Sequence, residues 1–171
     1  MNTEYSYIDT LNRLDNWIAR ADNKISFGLA FEVFLFGSII SNKRIPNLFN
    51  FNKGLICLKI IAILLFVITL IFLVKSLIFF LCGLRAKINI VPGISDKSYL
   101  FYGSIKNMNL QSLEKGVYNL SSDDIKKDYL AQIYLNSIIC SNKFQNFNKG
   151  LTSIYILIAP FLLFNFITLF I

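Results

Sequence analysis

The chain contains no histidine. The side chain most often used as a general base and as a metal ligand is therefore missing. Cysteine is almost as scarce. Cys57, Cys82 and Cys140 stand far apart, with no C-x-x-C or other metal-ligand spacing among them. They read as small apolar residues. The net charge is +7, yet no block of like charges is long enough to form a nucleic-acid arm. Soluble sequence is also short. Outside the apolar segments lie the N-terminal residues 1–24, residues 42–54 and residues 85–149. None is large enough for an independent enzyme domain. These absences argue against catalysis, a metal, a bound cofactor and a nucleic-acid polymer as partner.

Hydrophobic sequence is abundant instead. Residues 55–84 form an apolar run of 30 residues, interrupted only by Lys59, Lys75 and a few small polar groups. A helix of about 20 such residues crosses the hydrocarbon core of a bilayer. Residues 25–41 and 151–171 are further candidate spans, the first near the lower length limit. A cleaved signal peptide fits the first poorly, because mixed polar residues precede it and no small-x-small cleavage site follows. The expected fold is an all-α integral membrane protein with three transmembrane helices and a small helical segment between the second and third.

The distribution of Lys and Arg orients this arrangement. Residues 85–149 hold nine of them, and the N-terminal segment holds Arg13, Arg20 and Lys24. The positive-inside rule places both on the cytoplasmic side. Residues 42–54 then form an outer loop, despite Lys43, Arg44 and Lys53, and the C-terminus lies outside.

Tyr7, Leu11, Leu14, Ile18 and Ala21 recur by threes and fours, which predicts an amphipathic helix running into the first span. Pro92-Gly93 predicts a break after the second. Residues 109–119 suit a short helix. Ser121 or Ser122, with Asp123 and Asp124 in the first turn, predicts the start of another. One face of that helix is expected to carry Ile125, Tyr129, Ile133, Asn136, Cys140, Phe144 and Phe147. It is expected to continue into the third span. The pentapeptide FNKGL occurs at 51–55 and 147–151, without a structural period.

Three groups of residues are candidate sites. Glu32 and Lys75 are charges inside spans, at similar expected depth, and are predicted to pair. A register-fixing ion pair and a snorkelling Lys75 are the structural alternatives. Asp22, Asn23 and Lys24 precede the first span, while Asn142 and Lys143 precede the third. Asp22 and Lys143 are expected to link the two helices. Lys24 and Lys143 could instead receive a phosphate. Tyr99, Phe101, Tyr102, Tyr118, Tyr129 and Tyr134, with Gln132 and Asn136, could stack on and hydrogen-bond a nucleobase. The same residues suit a small helical core.

Several short elements appear in a telling order. Trp17-Ile18 comes before Ala21-Asp22-Asn23-Lys24, an A-D-x-K pattern at the first span. A long second span and Pro92 follow, then the aromatic stretch Ser98-Tyr99-Leu100-Phe101-Tyr102-Gly103-Ser104-Ile105. Tyr129-Leu130-Ala131-Gln132-Ile133 and Asn142-Lys143-Phe144 complete the series. In these elements, from about residue 8 to 165, the chain resembles the transmembrane effectors of Pycsar, the bacterial anti-phage system based on cyclic pyrimidine nucleotides. Ile25 and Asn136-Ser137 depart from the family pattern. The resemblance implies a non-enzymatic effector of the bacterial inner membrane. It implies a partner nucleotide cyclase, cyclic CMP or cyclic UMP as signal, and loss of membrane integrity as outcome. Asp22, Lys24, Tyr129, Gln132 and Lys143 are the residues expected to bind ligand or couple its binding to the membrane. Self-association is expected as well, because three short spans cannot enclose a wide pore. The alternative is a structural or adaptor membrane protein with no ligand.

Overall fold

The computed structural model of the chain describes residues 6–50, 56–85 and 98–170. Six helices follow one another among them: α1 (Tyr7–Ile40), α2 (Ile45–Leu48), α3 (Ile56–Leu84), α4 (Tyr102–Ile105), α5 (Leu110–Tyr118) and α6 (Ser122–Ile167). A 3-10 turn, Thr168–Phe170, ends the series. No strand occurs among the described residues. Three helical stretches, Tyr7–Ile40, Ile56–Leu84 and Ser122–Phe170, are long and apolar enough to cross a membrane. Pro92-Gly93 and the first FNKGL copy lie outside the described residues.

The helix starts follow local chemistry. The Ser6 hydroxyl accepts from the Asp9 N–H at 3.2 Å, capping α1. Asn109 caps α5 by accepting from the Ser112 N–H at 2.7 Å. At the start of α6, the Ser121 hydroxyl accepts from the Asp124 N–H at 3.2 Å. The Asp124 carboxylate accepts from the Ser121 hydroxyl and N–H in return. This reciprocal arrangement is a capping box, with Asp where Glu is commoner. Those hydrogen bonds from Ser121 hold the exposed Asp124 carboxyl below its usual range.

The chain divides into two compact units. The first comprises Met1–Ala21 and Ala86–Asn142, the second Asp22–Arg85 and Lys143–Ile171. Both α1 and α6 are uninterrupted helices that contribute to each unit.

In the second unit, burial follows a seven-residue repeat. On α1 it passes through Ile25, Gly28, Glu32, Leu35 and Ile39. On α3 it passes through Lys59, Ala62, Phe66, Thr69, Leu73, Ser76, Phe80 and Gly83. On α6 it passes through Lys143, Phe147, Gly150, Ile154, Leu157, Phe161 and Phe164. Spacings alternate between three and four, the 3.5-residue period of helices packed along a common seam. On α3 the seam collects the small and polar side chains, while Ile60, Leu64, Val67, Ile71, Val74 and Ile78 are exposed. This inverts the pattern of a water-soluble bundle. Lipid tails solvate Leu and Ile as well as a protein core does, so close packing of small residues decides the interface.

Phe80 shows that packing most directly. It is fully buried, with its ring between α1 and α6. A Cβ built on Gly28 would lie 2.5 Å from the ring, and one on Gly150 would lie 2.6 Å away. Only glycine at both positions admits the aromatic side chain.

Residues 42–54, expected as a loop, contain the single-turn helix α2. It docks because Leu48 is fully buried in a cluster with Ala62 and Phe164. Arg44 donates to the Thr168 carbonyl at 3.1 Å, placing a cation against the C-terminal end of the third long helix.

Candidate functional site

Asp22 lies on α1, Lys143 on α6 and Gly83 in the last turn of α3. The Lys143 ammonium donates to the Asp22 carboxylate at 2.5 Å and to the Gly83 carbonyl at 3.2 Å. That carbonyl is one of the last four of α3, which lack N–H donors within the helix and carry the negative end of its dipole. One lysine therefore ties the end of α3 to the middle stretches of α1 and α6. Its side chain is 8 % exposed, against 38 % for Asp22. The cation is shut away while its counter-ion still reaches water. Gly83 permits the approach, since a Cβ there would lie 2.8 Å from the Ile25 side chain and 3.3 Å from Asn146.

Lys24 is an exposed neighbour. Its ammonium sits over the rings of Phe144 and Phe147, at 5.5 and 5.8 Å from their centroids. The two lysines considered for a phosphate thus differ. Lys143 is committed to protein oxygens, and Lys24 rests on aromatic faces with its head open to solvent.

The expected ion pair between Glu32 and Lys75 does not form. Glu32 is 2 % exposed, and neither of its oxygens has a hydrogen-bond partner. Lys75 is exposed, with its ammonium over the Phe72 ring at 5.6 Å. The reason is angular. The seam of α3 passes through Ser76, and a shift of one residue turns a side chain about 100° around a helix. Depth alone placed the two charges together, whereas rotation separates them.

In the first unit, the aromatic stretch is tied to α6 by a polar network. The Asp128 carboxylate accepts from the Ser98 hydroxyl at 2.7 Å and the Tyr99 N–H at 2.9 Å. The Ser98 oxygen in turn accepts from the Gln132 amide at 3.2 Å and the Phe101 N–H at 3.0 Å. Gln132 is buried, so its side chain serves this anchor instead of standing free for a ligand. Tyr129 stacks on Tyr7, with centroids 6.2 Å apart. The Asn136 amide donates to Asp15 at 3.2 Å. Tyr99 packs so closely on α5 that any Cβ at Gly116 would strike its ring. Tyr102, Tyr118 and Tyr134 remain exposed.

The expected face of α6 is turned inward from Tyr129 onward, with Ile133, Asn136, Phe144 and Phe147 partly buried, and differs at its start and by the addition of Gln132. Ile125 is exposed, while Gln132 and Cys140 are buried. Burial pushes the Cys140 thiol up, leaving it protonated and unreactive at neutral pH. Asp128, Ser98, Ser76 and Gly83 were not among the expected site residues. One signal pointed to Asp128: it stands four positions before Gln132, one helical turn away on the same face. Ser76 and Gly83 share a heptad register with Thr69 and Ala62, a pattern hidden by the uniform hydrophobicity of α3.

The second unit thus holds a lysine latch among three helices, and the first holds a tethered aromatic segment; no cluster of His, Cys, Asp or Glu suited to a metal occurs among the described residues. No solved structure matches the chain. The Pycsar effector protein GmPycTM of Gulbenkiania mobilis is 33 % identical over 179 aligned positions, covering 95 % of this chain and 91 % of the relative. The Pycsar effector protein domain matches residues 7–171, from the first turn of α1 to the last residue, and the chain accordingly belongs to the Pycsar effector family.

Proposed function

We propose that this chain is a membrane-embedded effector of anti-phage defence. It responds to cyclic CMP or cyclic UMP made by a partner nucleotide cyclase and impairs the integrity of the bacterial inner membrane, with growth arrest or abortive infection as the result. Family membership over residues 7–171 is the observation that carries this reading. The polar and glycine-lined seam of the second unit supports it. A seam containing Glu32, Thr69, Ser76 and Ser153 can be wetted at a lower cost than one of Leu and Ile alone.

A ligand shifts such an equilibrium only by binding the active state more tightly than the resting one. The Asp128–Ser98–Gln132 network is a suitable point of action, since a pyrimidine edge offers donors and acceptors that compete for Gln132 and Asp128. Tyr129 and the exposed Tyr102 and Tyr134 supply aromatic faces nearby in sequence. Gln132 and Lys143 lie on the same uninterrupted helix, α6. In this reading residues 85–149 face the cytoplasm, where the nucleotide is made. Several copies associate symmetrically to perturb the bilayer.

The test is co-expression with a cyclase that makes either nucleotide, reading membrane potential and growth. Depolarisation that needs both the active cyclase and this chain is the expected result. Unchanged potential with both nucleotides would reject the effector reading and favour an adaptor without a ligand.

A further inference from the structure

The Glu32 carboxyl has no role in the latches described above. It lies in the last third of α1, 2 % exposed, on the seam that also carries Leu35, Leu73 and Phe80. Neither oxygen has a hydrogen-bond partner. Ser76 on α3 is close enough to interact with it, but the Ser76 hydroxyl donates to the Gly150 carbonyl of α6 at 3.1 Å. Hydroxyls lie along the same seam, and the Ser153 hydroxyl is likewise committed, to the Lys149 carbonyl at 3.0 Å.

The cations that α1, α3 and α6 carry within the second unit are engaged elsewhere. On α3, Lys59 donates to the Asn50 carbonyl, and Lys75 lies over Phe72. On α6, Lys143 holds Asp22 and Gly83, and Lys149 lies over Phe79. On α1 itself, Lys24 lies over Phe144 and Phe147. Among the described residues, no acid other than Glu32 is buried in the seam.

A charged carboxylate in this setting would have neither water nor a counter-ion, the costliest arrangement for an acidic side chain within a bilayer. An alkali or divalent cation would need about six oxygen ligands. Ser76 supplies a single hydroxyl oxygen near the carboxyl, and it is already committed to the Gly150 carbonyl. A proton needs none, because it converts the group into a neutral acid that the seam can hold. We propose that Glu32 is an intramembrane proton-binding site: the neutral acid closes the three-helix seam, and loss of its proton admits water between α1, α3 and α6. Nucleotide binding plays no part in this site.

The probe is dicyclohexylcarbodiimide, an apolar carbodiimide that modifies carboxylic acids in their protonated form. The full chain in liposomes, without nucleotide, is treated over a range of pH, and modified peptides are identified by mass. The expected result is modification at Glu32 that falls about tenfold per pH unit above its midpoint, and equally in sodium and choline chloride. In parallel, melting is followed in detergent for the wild type and Glu32→Gln. The wild type should lose stability relative to Glu32→Gln as pH rises, since the amide cannot ionise. Absent or pH-independent modification, protection by sodium, or a melting difference constant with pH would each overturn the proposal.

Discussion

Lys143 and Asp22 meet at 2.5 Å, and the lysine is far more deeply buried than the aspartate. This asymmetry decides what each residue does. Asp22 can return to water when the contact breaks. Lys143 would keep only the Gly83 carbonyl, at 3.2 Å, as an anchor. A contact so arranged holds three helices together through one buried cation. It suits a latch.

Removing the counter-ion should therefore cost more than removing the buried cation. Asp22→Ala strands a buried charge and is expected to destabilise by about 2 kcal/mol, below the cost for fully buried pairs because Asp22 reaches water. Lys143→Met should cost less, and the double variant no more than Asp22→Ala alone. Unfolding of the purified protein in mixed micelles measures all three. In cells carrying the cyclase, Asp22→Lys and Lys143→Asp should each lose signal-dependent depolarisation, and the swapped double variant should regain part of it.

The Phe80 ring between Gly28 and Gly150 makes a second, purely steric prediction. Gly28→Leu and Gly150→Leu should each destabilise by about 1 to 3 kcal/mol through overpacking. Phe80→Ala alone should cost about 3 to 5 kcal/mol. Combining Phe80→Ala with either leucine should cost less than the sum of the two changes, because the new side chain occupies the space that the ring leaves. Strict additivity in melting or micelle unfolding would show that the three residues do not share that space.

Asp128 is expected to govern the aromatic stretch. Asp128→Ala removes acceptors from the Ser98 hydroxyl and the Tyr99 N–H. A loss of about 1 to 3 kcal/mol is expected for those unsatisfied groups. Hydrogen exchange should quicken at residues 98–101 while the helical amides of α3 keep their protection. Equal loosening of both regions would mean that Asp128 supports the whole chain and not the local tether.

Asp124 makes the start of α6 sensitive to acid. Its carboxyl is held below the usual value of 3.8 by the hydrogen bonds from Ser121. The capping contribution is therefore complete above that value and is lost as pH falls through the lower folded-state value. Amide signals of residues 121–125 should shift in that acidic window in the wild type. Asp124→Asn should remove the transition while leaving the helix cap largely in place, since its amide oxygen still accepts from Ser121.

Much of the architecture was legible because it rests on local, one-dimensional signals. Apolar length identifies α3 without any tertiary information, since the backbone must satisfy its own hydrogen bonds in lipid. Ser121 with Asp124, and Asn109 before α5, mark helix starts through contacts only three residues apart. The tyrosine and glutamine set was legible as a group, but its use was not. Gln132 is consumed by Ser98, which lies 34 positions away in sequence.

What only the tertiary structure decided is rotation about the helix axes. In a membrane helix almost every face is apolar, so hydrophobicity does not say which side packs inward. Glu32 and Lys75 share a depth that the sequence reveals through residue counting. They do not share a face, because close contact of Phe80 with Gly28 and Gly150 sets the register of the three helices and turns Ser76, not Lys75, inward. Asp22 and Lys143 were placed at the same boundary by the sequence. Their partner Gly83 became visible only when the end of α3 was packed beside them, since a backbone carbonyl leaves no mark in a sequence.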